Sequence, residues 1–187
     1  MEQRLRKVLS SNWISYHMGV QMVDAQLKKF INWRFVHEVR MLRSVNGFRN
    51  QLPEIGKKLG QTQDQYDFLS TVVVVNLLIH ARNLKEFFYG STYSQTAEAK
   101  DYVNWKTPDK TSNIEELGNR VNHEIMHMDL GTEEGETYNI TVKWKDLNGL
   151  VKDLQNVTKT FLRQLETENP TYYEDNLRQL KSDLEEG

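Results

Sequence analysis

The chain has 187 residues, no cysteine, 27% charged and 38% apolar side chains, and a formal net charge of −2. The length suits one domain, 1–187, with one substantial core; without cysteine there is no disulfide scaffold, and any metal would rest on His and carboxylates. The longest apolar run, Val72–Val75 followed by Leu77–Ile79, is too short to span a bilayer. Met1-Glu2-Gln3-Arg4-Leu5-Arg6 lacks the apolar stretch of a signal peptide, so the expectation is a cytoplasmic protein with no membrane partner and no cofactor.

In chain order, the first 52 residues read as helix. Val20, Val23, Leu27, Phe30 and Ile31 form one stripe, and Val39, Leu42, Val45 and Leu52 another. Trp33, Phe35 and Val36 break the period between them, which predicts a bend there. Pro53 and Gly56–Gly60 predict the connection to the next element. Residues 64–90 include Val72–Val75, which favours strand by propensity. No turn signal interrupts the run that follows, so the segment reads as one long helix, apolar all round in its first half. Such a helix is central to a bundle or lies in a subunit interface.

Gly90–Gln95 reads as a break, and Ala97–Trp105 as a short helix carrying Tyr102 and Trp105 and closed by Pro108. Residues 112–129 begin on Ser112-x-x-Glu115, a capping box in which the serine accepts from the Glu115 N–H and the glutamate reaches back. Ile114, Leu117, Val121, Ile125 and Met128 form the stripe of this helix, and Gly131 is a plausible left-handed stop. Residues 143–166 carry one seam: Trp144, Leu147, Val151, Leu154, Thr158, Phe161 and Leu165. Pro170 ends that helix, and 171–185 form an acidic helix with Tyr173, Leu177, Leu180 and Leu184 on one side. Each of the three prolines (53, 108 and 170) falls where a helix should start or stop. Trp13, Trp33, Trp105 and Trp144 read as core anchors.

The predicted fold is all-α. A helical bundle has four core helices within 64–167, N-terminal helices from 1–60 packed on it, and an acidic C-terminal helix. Charge is uneven along it. Residues 1–60 hold eleven Lys/Arg against four acids, and residues 166–187 hold two against seven. A basic end can meet phosphates, or the two ends can pair with each other or lie on separate solvated faces.

The segment Arg120-Val121-Asn122-His123-Glu124-Ile125-Met126-His127 supports two chemical readings. His123-Glu124-x-x-His127 spells a zinc-hydrolase signature, with two histidines on one helix face and Glu124 as base; His80 is a candidate third ligand. Against it, Arg120 and Asp129 put charge on the flanks, and Leu130 stands where an extended signature has Gly. No Glu lies between Thr137 and Leu165, which leaves Asp146 and Asp153 as substitutes. Alternatively, Arg120 and His127 lie two turns apart on one face, with Asn122 and His123 nearby. A guanidinium can stabilise phosphate charge while an imidazole moves a 2′-hydroxyl proton, with no metal. A structural reading of the same residues is also open: His127 at a helix C-terminus, and Arg120 paired with Glu116 or Glu124. Arg82 and Asn83 follow the most apolar run, so Arg82 must reach an acid, a carbonyl or a site opening; His127 and Asp101 are the partners considered.

Several segments resemble a group of bacterial helical proteins with H-A-R-N-L…F-F and I-N-K-E-I-A-H-L-like motifs. They are Leu78-Ile79-His80-Ala81-Arg82-Asn83-Leu84-x-x-Phe87-Phe88, Asp101-Tyr102-x-x-Trp105, Arg120-x-Asn122-x-Glu124-Ile125-x-His127 and Lys143-Trp144. Arg120-(x6)-His127 also resembles the R-x(4–6)-H signature of the HEPN superfamily, found in toxin–antitoxin, abortive-infection and CRISPR ribonucleases. The resemblance spans roughly 68–165. His123 departs from it where Lys is usual, and Met128-Asp129 where Leu-Thr is usual. It implies a four-helix bundle, commonly a homodimer, in which Arg–His pairs of two subunits form one ribonuclease site. The resulting expectation is RNA binding or metal-independent cleavage by Arg120 and His127, supported by Asn122, His123, Arg82, Asn83 and His80. A non-enzymatic helical interaction protein, such as an antitoxin-like partner, is the alternative.

Overall fold

The computed structural model describes residues 24–90, 97–120 and 147–186, with 118–120 described as backbone only. It is an all-α bundle. The described residues contain five α-helices and no strand: α1 (Val36–Leu59), α2 (Gln63–Tyr89), α3 (Ser112–Arg120), α4 (Leu147–Glu168) and α5 (Asp175–Glu185).

Residues 24–29 are helical and run into a π-helical turn, Phe30–Phe35, that leads directly into α1. The π turn lies where the sequence predicts a bend. Its wider register absorbs the break in hydrophobic period, so Ile31 and Phe35 stay buried ahead of Val36, Val39 and Leu42. Asn32 is buried in the same turn and ties it to the far end of the chain. Its amide donates to the carbonyls of Lys28 and Tyr172 at 3.0 Å each.

α1 continues through Pro53, contrary to the expected stop. A proline inside a helix forfeits a backbone hydrogen bond, but here its ring is exposed while Leu52 and Gly56 on either side are buried. The helix instead ends at Gly60, whose φ of +63° is the left-handed conformation that a β-carbon disfavours. Gly56 is a packing residue, not a turn residue: a Cβ there would lie 3.0 Å from the Tyr66 ring. Thr62 then caps α2. It accepts from the Gln65 N–H at 3.4 Å while the Gln65 side chain accepts from the Thr62 N–H at 3.0 Å.

α2 is the predicted long helix, and Val72–Val75 are helical within it. It packs antiparallel on α1. Beyond it, Ala97–Trp105 forms only a short 3-10 turn, Ala99–Asp101. Side-chain anchors hold the rest in irregular backbone: Trp105 donates to the Phe88 carbonyl at 2.8 Å, and Asn169 to the Tyr102 carbonyl at 2.6 Å. The cap of α3 is Thr111 rather than Ser112, its hydroxyl accepting from the Ile114 N–H at 3.4 Å. The remainder of the predicted 112–129 helix lies outside the described residues.

α4 buries Leu147, Val151, Leu154, Thr158, Phe161 and Leu165, the predicted seam apart from Trp144, which lies outside the described residues, and adds Leu150 and Leu162 to it. α5 buries Leu177, Leu180 and Leu184, with Tyr173 just before it. One connected core draws on all five helices. Its centre is aromatic: Phe35 lies 4.8 Å from Phe87 and 5.4 Å from Phe161, and Phe88 lies 5.7 Å from Trp105.

Candidate functional site

A helix turns about 100° per residue, so neighbours in the His80-Ala81-Arg82-Asn83 segment leave α2 in different directions. Ala81 and Leu84 enter the core. His80 and Asn83 turn together toward α1 and converge on one carboxylate. His80 Nδ1 lies 2.6 Å from Glu38 Oε2, and Asn83 Nδ2 donates to the same oxygen at 3.1 Å. Arg82 leaves on another face, where Nε donates to Glu86 at 2.9 Å. Within the described residues Arg82 thus pairs with an acid on its own helix and not with Asp101, and His127, the other partner weighed for it, lies outside the described residues.

Glu38 is the residue that organises this cluster. It sits on α1 between Phe35 and Leu42, where an apolar side chain would continue the buried stripe. A carboxylate in such a place must be matched by donors, and His80 and Asn83 supply them. An ionised carboxylate only accepts, so the Nδ1 it faces carries the imidazole proton. In the neutral tautomer that this contact selects, the acceptor nitrogen of the imidazole is Nε2. The His80 and Glu38 side chains retain 13% and 12% of their accessible surface, so the pair is shielded but not sealed.

His37 precedes Glu38 and is exposed. Its ring stands 5.9 Å from that of His80, edge to face at 76°. Ahead of α1, the π turn carries Trp33 and Arg34, and Lys29 lies just before it; all are exposed. Trp33 is 68% exposed and is not the core anchor its sequence position suggests. The π turn commits positions 31, 32 and 35 to the interior and leaves 33 outward. Basic and aromatic side chains on one surface form the kind of platform that holds single-stranded nucleic acid. Of the other tryptophans, Trp105 is partly buried against the core, while Trp13 and Trp144 lie outside the described residues.

The Arg82 face has a different character. Lys85 is half-buried, and its ammonium is held below the usual lysine range first by burial and then by Lys110. Lys110 lies 5.9 Å from the Tyr89 ring centre. Asp153 accepts from Thr111 at 2.7 Å and from Asn113 at 3.0 Å, which engages one of the carboxylates considered as a zinc ligand. α3 thus begins on the Arg82 side of α2, not the His80 side. Arg120 occupies the last described position of α3, as backbone only. Asn122, His123, Glu124 and His127, and with them the zinc spelling and the geometry of the Arg120–His127 pair, lie outside the described residues.

Among the described residues, no group of three or more His, Asp or Glu side chains is placed to hold a metal ion. No helix of the described residues is long and apolar enough to cross a membrane. A separate groove of about 450 Å³, lined by Trp105, Lys106, Asn156 and Gln164 among others, contains none of the predicted site residues.

Sequence reasoning identifies His80 and Asn83 but misses Glu38 and His37. The available signal is a charge at position 38, inside the apolar spacing of Phe35, Val39 and Leu42, next to a histidine. Comparison of the chain with protein-family models, curated proteins and solved structures finds no match.

Proposed function

We propose that this chain is a HEPN-like helical protein that binds RNA and cleaves it without a metal. The observation that carries the reading is His80, held by Glu38 at Nδ1 and standing beside the second imidazole of His37. Two imidazoles are sufficient for RNA transesterification. The His80 Nε2 takes the proton of a 2′-hydroxyl, and that oxygen attacks the adjacent phosphorus. The bond from phosphorus to the 5′-oxygen breaks, and protonated His37 returns a proton to the leaving oxygen. The products are a 2′,3′-cyclic phosphate and a free 5′-hydroxyl. Lys29 and Arg34 meet flanking phosphates, and Trp33 stacks a base. Arg120 and His127 remain the pair that the resemblance implies, and the protein acts as a homodimer of a toxin or defence system.

The experiment compares three purified proteins on total RNA in chelator: the wild type, His80→Ala, and Arg120→Ala with His127→Ala. Removing a general base lowers rate by about 10²–10⁴-fold. Loss in His80→Ala alone assigns the proton transfer to the Glu38–His80 pair, and loss in the double variant alone assigns it to the Arg120–His127 pair. Equal products from all three end the ribonuclease reading.

A second reading, a non-enzymatic interaction protein, is favoured by one specific observation: Phe68, Val72 and Ile79 are exposed along α2. It predicts no cleavage by any of the three proteins and a partner bound to that face.

A further inference from the structure

A π turn holds one residue more than an α turn and is rare in proteins. Apolar burial does not by itself call for the one at Phe30–Phe35. Ile31 and Phe35 are both buried, but they are four residues apart and would share a face of an ordinary α-helix as well. Asn32 supplies what they do not. It is 1% exposed, and its amide donates to two carbonyls at 3.0 Å, that of Lys28 four residues back and that of Tyr172 near the far end of the chain. A side-chain donor on the carbonyl four residues back competes with the backbone N–H that an α-helix aims there. Asn32 Oδ1 is buried with no hydrogen-bond partner among the described residues, which costs stability. A buried asparagine of this kind is kept for the register it fixes.

Three more polar links join this helix to the same stretch of chain. Asn176 donates to the Asn32 carbonyl at 3.3 Å, and the Tyr172 hydroxyl donates to Asp24. Lys28 pairs with Glu174 at 2.9 Å, an exposed contact that contributes little alone. Asp24 and Lys28 precede the turn, and Asn32 lies inside it. Closing the turn to α removes one residue of register and rotates residues 24–29 by about 100° against α1. Those links cannot all survive that rotation, so docking of residues 172–176 and an unbroken α-helix exclude each other. We propose that residues 172–176 are a clamp that selects helix register: docked, they hold the π turn open through Asn32; lifted, they let it close to α. The inference does not rest on the ribonuclease reading. The two forms are discrete, because a helical N–H bonds either four or five residues back. Whatever draws residues 172–176 away is thereby read at the head of α1, beside Trp33 and His37.

The test is NMR of the isotope-labelled full chain, comparing the wild type with Asn32→Leu and with Glu174→Ala combined with Asn176→Ala. Nuclear Overhauser contacts from each Hα to the amide proton four or five residues on distinguish the two registers. The wild type is expected to show the five-residue contacts within 30–35. In Asn32→Leu, which keeps the side-chain bulk and removes the donors, four-residue contacts are expected to replace them, while the signals of Phe161 and Leu180 in the core stay in place. The double variant leaves Asn32 intact and loosens the clamp from its other side. It is expected to show both sets of contacts, or exchange-broadened signals confined to 24–35. Should Asn32→Leu fail to fold, the double variant decides alone. An α pattern at 30–35 in the wild type overturns the proposal. So does an unchanged five-residue pattern in a folded Asn32→Leu protein or in the double variant.

Discussion

The two halves of α2 are both apolar, yet they meet different fates. From Leu77 to Phe88 every apolar side chain but Ile79 is buried, and Phe87 and Phe88 pack on Phe35, Phe161, Tyr102 and Trp105. Nearer its start, Phe68 is 72% and Val72 45% exposed. Hydrophobicity alone does not separate them. The enclosed half is bracketed by α1, α4 and the anchored 97–105 segment. The other half has a described neighbour on one side only. Burial is thus a property of what the rest of the chain brings to a surface, and an apolar side chain left outside marks a surface available to a partner.

The sharpest way to break this contrast is to cut one ring from the cluster that encloses Phe87 and Phe88 and one from the exposed half of α2. Phe161 is fully buried where Phe35, Phe87 and Phe88 meet. Phe161→Ala is expected to lower unfolding free energy by about 3–5 kcal/mol in urea denaturation, combining lost transfer energy with a cavity. A loss below 1 kcal/mol would mean that the aromatic cluster does not carry the stability assigned to it.

At the boundary between the halves, Glu38→Ala leaves His80 and Asn83 without their shared acceptor. A loss of about 1–3 kcal/mol is expected from the unsatisfied polar groups. The result should be smaller than that for Phe161→Ala and larger than that for any exposed position of α2.

pH probes the enclosed half by a separate route. Tyr102 is buried, its hydroxyl donating to the Leu27 carbonyl at 3.0 Å, and its pKa is raised first by that burial. Tyr172 donates to Asp24, and burial with that carboxylate pushes it up to about 12. A raised pKa means the folded state holds the phenolic proton more tightly than the unfolded chain does. The stabilisation is therefore complete below the ordinary tyrosine value of 10.0 and is lost as pH rises toward the folded values. Stability measured by denaturant titration should fall between about pH 10 and 12, and Tyr102→Phe should flatten that fall. An unchanged slope in the variant would remove Tyr102 as its source.

The smallest effect belongs to the exposed half. Phe68→Ser should change unfolding free energy of the monomer by less than about 0.5 kcal/mol, as surface substitutions do. A loss comparable to that of Phe161→Ala would show that Phe68 is enclosed within its own chain, and the contrast between the two halves would fail.

Much of the fold can be read from spacing. The seam of α4 and the stripe of α5 follow from periodicity, because each helix has one face that must be buried and few alternatives for burying it; the continuity of α2 through Val72–Val75 follows from the absence of a turn signal in the run. Features set by one or two hydrogen bonds are less legible. Ser112 and Thr111 are equally good caps by type, and the backbone selects Thr111. Pro53 reads as a stop, yet burial of Leu52 and Gly56 holds the helix through it. The candidate site is half legible for the same reason. His80 and Asn83 stand out after an apolar run, but their partner Glu38 lies over forty residues away on another helix.

The sequence by itself determined the all-α class, the course of the long helices and the polar positions that need an explanation, because helical period and composition are local properties. The tertiary structure alone decided that His80 and Asn83 share one carboxylate while Arg82 turns away from them to Glu86. It also decided that Trp33 faces solvent. Those outcomes depend on the rotation of each helix about its axis and on which helix lies beside it, and these are set by packing across the whole chain.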